Sequence, residues 1–99
     1  MLLWRKLAYV VFGLLVSGCF YTGRDFPTAP VRKIENDVTT QKDVFGYFGE
    51  PARQGLENGY ETWIYSYQYY ELGQLRDLKE LYVVFNKNNT VRSYSFNAR

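Results

Sequence analysis

Eighteen of the 99 residues are laid out for export rather than for folding. A basic pair, Arg5-Lys6, precedes the apolar run Leu7 to Val16, and Ser17-Gly18 bring small residues to the boundary with Cys19. A charged start, a short apolar stretch and small residues at its end make a secretory signal. The ten residues of that run are too few to span a bilayer, which takes roughly 20. The formal charge of +2 resides in this segment. Without Arg5 and Lys6 the 12 basic side chains fall to 10, equal to the 10 acidic ones. Nucleic-acid binding, which needs clustered Lys and Arg against phosphates, loses its support, and no nucleic-acid partner is expected.

Leu15-Val16-Ser17-Gly18-Cys19 resembles the lipobox of bacterial lipoprotein precursors. The resemblance implies cleavage between Gly18 and Cys19, a diacylglyceryl group on the Cys19 thiol and an acyl chain on the new amino group. No other cofactor is expected. Two or three chains make a durable anchor, because each buried methylene contributes about 0.8 kcal/mol and one chain alone binds marginally. By the sorting rule of such lipoproteins, Phe20 in place of Asp after the Cys implies the outer membrane, with the protein on its periplasmic face.

Composition removes most chemistry. With no His, imidazole-based nucleophile activation and most zinc sites are excluded, and with one Cys so are an internal disulfide and a thiolate cluster. Glu50, Glu57, Glu61 and Glu71 fall in turns or at strand ends with nothing to fix a catalytic pair. Ser66, Ser93 and Ser95 have no base. No catalytic residue and no metal site is assigned, and the chain is expected not to be an enzyme.

Three parts are expected: a signal peptide over 1–18, a lipidated Cys with an extended tether over 19–30, and a domain over 31–99. The tether reading rests on Gly23, Pro27 and Pro30 in a stretch without periodicity. Val31, Ile34 and Val38 sit on one helical face and predict a short first helix. A second is predicted from Thr40, with a capping box to Asp43, Val44 and Phe48 on one face, and a stop at Gly49 and Pro51. Gly46 inside it is read as a sign that another backbone approaches closely. Gln54-Gly55 and Asn58-Gly59 read as turns, followed by a strand over Glu61–Tyr70. A polar loop over Glu71–Asp77 leads to a second strand over Leu78–Asn86, and Lys87–Thr90 turns the chain into a third over Val91–Phe96. The expected class is α+β: two short N-terminal helices packed on one face of a three-stranded antiparallel β-meander.

The run Thr40-Gln41-Lys42-Asp43-Val44-Phe45-Gly46-Tyr47-Phe48-Gly49-Glu50-Pro51, followed by Trp63-Ile64-Tyr65, Leu81-Tyr82-Val83-Val84-Phe85 and Val91, resembles the SmpA/OmlA (BamE-like) family of small bacterial outer-membrane lipoproteins. The resemblance covers about Val31 to Phe96, departing at Val38-Thr39 and Phe48. It implies a non-enzymatic accessory of outer-membrane protein assembly or envelope integrity, with the β-barrel assembly machine as the envelope protein partner.

Trp63, Tyr65, Leu81, Val83 and Phe85 are the expected core. Tyr65, Tyr67, Tyr69, Tyr70, Tyr82 and Tyr94 together exceed what one face of a small sheet can bury, and tyrosine suits interfaces because it joins a large rigid ring to a polar tip. Tyr67, Tyr69 and Tyr70 are the candidate partner-binding residues, with pairing along an exposed edge strand as a related mode. A peptidoglycan- or glycan-binding lipoprotein, using stacked tyrosines, and a structural component of another envelope complex are the alternatives.

Overall fold

A computed structural model describes residues 19–99; the signal segment and the expected cleavage residue Gly18 lie outside the described residues. The element order is β1 (Cys19–Gly23), a 3-10 helix (Ala29–Lys33), α1 (Gln41–Phe48), β2 (Arg53–Glu57), β3 (Tyr60–Glu71), β4 (Gln74–Phe85) and β5 (Val91–Ala98). This corrects the expected class. The described chain is mostly β, a five-stranded antiparallel sheet with one α-helix and a 3-10 helix, not two helices on a three-stranded meander.

Each departure has a local cause. The predicted first helix shrinks to a 3-10 helix because the backbone is already extended at Ile34, with ψ 123°, and turns at Asp37, whose φ is 68°. Gln54-Gly55, expected to be a turn, lies inside a strand, Arg53–Glu57, paired with Tyr60–Ile64. Asn58-Gly59, with φ of 53° and 84°, is the tight hairpin turn between them, and Asn-Gly is the strongest short-range hairpin signal. The expected polar loop over Glu71–Asp77 contracts to Leu72-Gly73, so β4 starts at Gln74. The supposed tether contributes β1, paired with β3 from Cys19 opposite Glu71 to Gly23 opposite Tyr67. Gly23 has φ +78°, and a Cβ there would lie 2.2 Å from the Ser66 carbonyl oxygen, so only glycine lets the chain leave β3 at this point.

β3 is the centre of the sheet. One of its edges pairs with β4, and the other is shared end to end by β2 and β1. β5 closes the far side of β4 and ends opposite Lys79. Beyond that row β1 and the ends of β3 and β4 continue as a three-stranded arm. A register shift after Val84 leaves an extra residue in β5, so Val91 joins Phe85 in the core while the guanidinium of Arg92 lies 4.2 Å from the Tyr60 ring centre.

The core lies where the other half of the sheet meets α1. Val44 and Phe48 pack with Trp63, Tyr65, Leu81, Val83, Phe85 and Val91, and Ile34 and Phe26 complete the cluster. The five expected core residues are all buried. The helix start is also as expected: Thr40 accepts from the Asp43 N–H and Asp43 accepts from the Thr40 N–H, both at 3.1 Å. Gly49, with φ 80°, ends the helix. Tyr65 donates its hydroxyl to the Gly49 carbonyl at 2.8 Å, joining sheet to helix end.

Two stability predictions follow from these contacts. Gly46 is exposed and a Cβ there would meet nothing within 4 Å, which corrects the expected close approach. Gly46→Ala is therefore expected to stabilise the protein by up to about 1 kcal/mol in urea denaturation. Tyr65→Phe is expected to cost about 1–3 kcal/mol, because the Gly49 carbonyl loses its donor. Burial raises the Tyr65 phenol above its ordinary value of 10.0. A phenol whose folded value is raised contributes stability that is complete below the unfolded value and lost as pH climbs above about 10, so the wild type loses stability there and Tyr65→Phe less.

Candidate functional site

The arm carries the residues singled out for partner binding, and its register decides how they are arranged. Pairing sets Tyr21 opposite Tyr69 and Gly23 opposite Tyr67, so by alternation Cys19, Tyr21, Tyr67 and Tyr69 share the face that continues into the core. Phe20 is opposite Tyr70, and Tyr70 is opposite Leu75, on the other face. The three tyrosines thus do not form one patch: Tyr67 and Tyr69 lie on one side of the arm and Tyr70 on the other.

Each is engaged. The Tyr70 ring stacks on Phe20 with centroids 4.8 Å apart and planes 14° from parallel. The Tyr67 ring is tilted against Tyr21 at 6.3 Å and has the Lys79 ammonium 5.1 Å from its centre. Hydrogen bonding to the Cys19 side chain is the chief cause that raises the Tyr69 phenol above its ordinary value of 10.0. All three rings remain half-buried. Cys19 is an exposed free thiol at the end of the arm.

The root of the arm is held by residues whose local sequence carries no distinctive signal. Arg24 donates its N–H to the Ser66 carbonyl at 2.9 Å and its guanidinium to Glu50 at 3.1 Å. Asp25 forms an ion pair with Lys79, whose ammonium also donates to the Phe26 carbonyl at 3.2 Å. The Phe26 ring is buried against Phe48, at 6.2 Å edge to face, and against Tyr65 at 5.7 Å. A lone Phe between Asp25 and Pro27 shows no periodicity, so only its aromatic character marks it as core. The chain leaving β1 is consequently bolted to the domain.

Where β1 and β2 meet end to end, an open cleft of about 420 Å³ is lined by polar side chains that include Thr22, Arg53, Ser66, Gln68 and Glu80. Its single cation and single anion give it no strong preference for a charged ligand. Along β5, among the described residues, no strand pairs with the edge facing away from β4. No group of three or more acidic or Cys side chains among the described residues is placed to hold a metal ion, and no helix there is long and apolar enough to cross a membrane.

No family model matches the chain, and no curated protein and no solved structure matches it either.

The Asp25–Lys79 pair makes the attachment of the arm sensitive to acid. The hydrogen bond from Lys79, opposed by partial desolvation and aided by the ammonium charge and the Phe26 N–H, holds the Asp25 carboxyl below its ordinary value of 3.8. A depressed carboxylate contributes stability that is present above its unfolded value and lost as pH falls through the folded one. The wild type is expected to lose stability relative to Asp25→Asn below about pH 4. Because Asp25 is largely exposed, the difference stays well under 1 kcal/mol, and urea titrations between pH 2 and 6 measure it.

Proposed function

We propose that this chain is a lipid-anchored protein of the bacterial outer membrane, facing the periplasm, which works by binding envelope proteins rather than by catalysis. The observation that carries this reading is the position of Cys19. It is exposed at the end of the arm, opposite Glu71 and outside the buried cluster, so acylation there disturbs no side chain of the core. The signal layout before it and the lipobox resemblance supply the chemistry.

The resemblance to the SmpA/OmlA family points to the β-barrel assembly machine as the partner. The free edge of β5 supports a protein-binding role. Arg92-Ser93-Tyr94-Ser95-Phe96-Asn97 offers main-chain groups along one side, carries no Pro or Lys to discourage pairing, and alternates small polar with aromatic residues. Strand addition to such an edge is sequence-tolerant in its hydrogen bonds and selective in its side chains.

The test has two steps. Cys19→Ala is expected to abolish labelling by a radioactive or clickable fatty acid and to block processing; persistent labelling overturns the anchor. Pulldown of the acylated chain from detergent-solubilised envelope is expected to recover the β-barrel assembly machine. Retention on isolated peptidoglycan without that machine overturns the partner reading.

A further inference from the structure

We propose that the tip of the arm is a membrane-docking surface, with Leu72 entering the acyl region of the bilayer and the rings of Phe20, Tyr21, Tyr69 and Tyr70 lying at headgroup level. This rests on acylation of Cys19 as proposed above and adds what the protein itself does at the membrane.

The two tight turns that flank β3 differ in the residue each places first. Asn58-Gly59 and Leu72-Gly73 have nearly the same backbone, with φ of 53° and 84° in one and 51° and 77° in the other. Positive φ at both central positions favours Asn, Asp or Gly first, which the former turn obeys. A bulky apolar residue at positive φ is an outlier. Leu72 is also 77% exposed, so it gains nothing by burial within this chain. A residue that is unfavourable both for the turn and for solvation is where a local rule has yielded to a function.

That leucine also lies beside the proposed anchor. Cys19 pairs with Glu71, the residue immediately before Leu72, so an acyl chain on Cys19 and the Leu72 side chain start from adjacent positions at one end of the sheet. A lipid inserted from Cys19 brings the turn to the bilayer whatever else the domain does.

The distribution of apolar surface selects a bilayer over a protein groove. Apolar surface is present on both faces of the arm: Tyr21, 69% exposed, with Tyr69 on one, and Phe20, 48% exposed, with Tyr70 and Leu75 on the other. A groove covers one face of a strand ribbon, whereas a bilayer surrounds its tip. At about 3.3 Å per residue, Tyr69 and Tyr70 stand roughly 7–10 Å back from Leu72. The headgroup layer on each side of the hydrocarbon is about 5–8 Å thick, and amphipathic rings are favoured there. The charges nearest the tip are Glu71 and Arg76, of opposite sign and 4.0 Å apart, so docking requires no anionic lipid.

The experiment uses the processed, acylated full chain in phosphatidylcholine vesicles with or without brominated acyl chains. Leu72→Trp and, as a second probe without positive φ, Leu75→Trp report on the arm; Leu56→Trp, exposed on β2 near the opposite end of β3, is the control. Trp63 is buried in the core and supplies a constant background. Both arm probes are expected to show blue-shifted emission, Leu72→Trp with at least a twofold loss of its own fluorescence on brominated lipid and Leu75→Trp, level with Tyr70, with a smaller loss, while the Leu56→Trp signal is unchanged. Acyl labelling of the same sample separates the two readings. Labelled chain with unquenched arm probes overturns the docking and leaves the anchor standing. Blue-shifted but unquenched probes overturn it in favour of burial against protein, a second copy included. Unlabelled chain overturns the anchor, and the docking with it.

Discussion

Tyr65 is the side chain through which the parts of this small protein hold one another. Its ring packs against Phe48 from α1 at 5.5 Å and Phe26 from the segment after β1 at 5.7 Å, while its hydroxyl holds the carbonyl that ends the helix. The helix and the segment after β1, which also meet each other through Phe26 and Phe48, are thus tied to the middle of β3. A domain of this length buries only about 60% of its unfolded surface, so it cannot spread its cohesion widely. Large aromatic rings concentrate it instead, and Phe45, Trp63 and Phe85 extend the cluster with edge-to-face contacts at 6.4 and 5.0 Å.

What was legible in the sequence follows from how local its cause is. The capping box at Thr40 and Asp43, the stop at Gly49 and the alternation of Leu81, Val83 and Phe85 are decided within a few residues, and they form as read. The pairing of β1 is decided across some fifty positions, by the fit of Gly23 under Ser66 and of Phe26 beside Tyr65, and no periodicity in five residues announces it. The β2 strand was legible in principle, since Asn58-Gly59 implies two strands and not one. The opposite holds for Leu72-Gly73: its backbone is that of a hairpin, but leucine disguises it, and the polar residues around it read as a loop. Of the candidate site, Cys19 and the three tyrosines could be named from sequence. That the tyrosines split between two faces, and that Lys79, Asp25 and Phe26 fasten the arm, depends on register and tertiary contact.

Fastening the arm changes what an anchor at Cys19 means. A flexible tether of twelve residues would let the domain wander over roughly 20 Å, with no preferred face toward the membrane. With Cys19 in the first position of a strand, its orientation is set instead by hydrogen bonds: β3 and β4 run between the Cys19 end of the arm and the core, and α1 packs against their far half. The free edge of β5 ends at Ala98, opposite Lys79, and so begins only where the arm joins the core. Under the proposed anchoring, the bilayer takes the arm and a protein takes the edge, and neither competes for the other's surface. An edge strand at a fixed height and angle above a membrane meets its partner with part of its orientational freedom already lost, and that loss no longer has to come out of the binding energy. The cost is borne in the fold, in a glycine that nothing can replace at position 23 and a leucine held at a backbone angle better suited to asparagine.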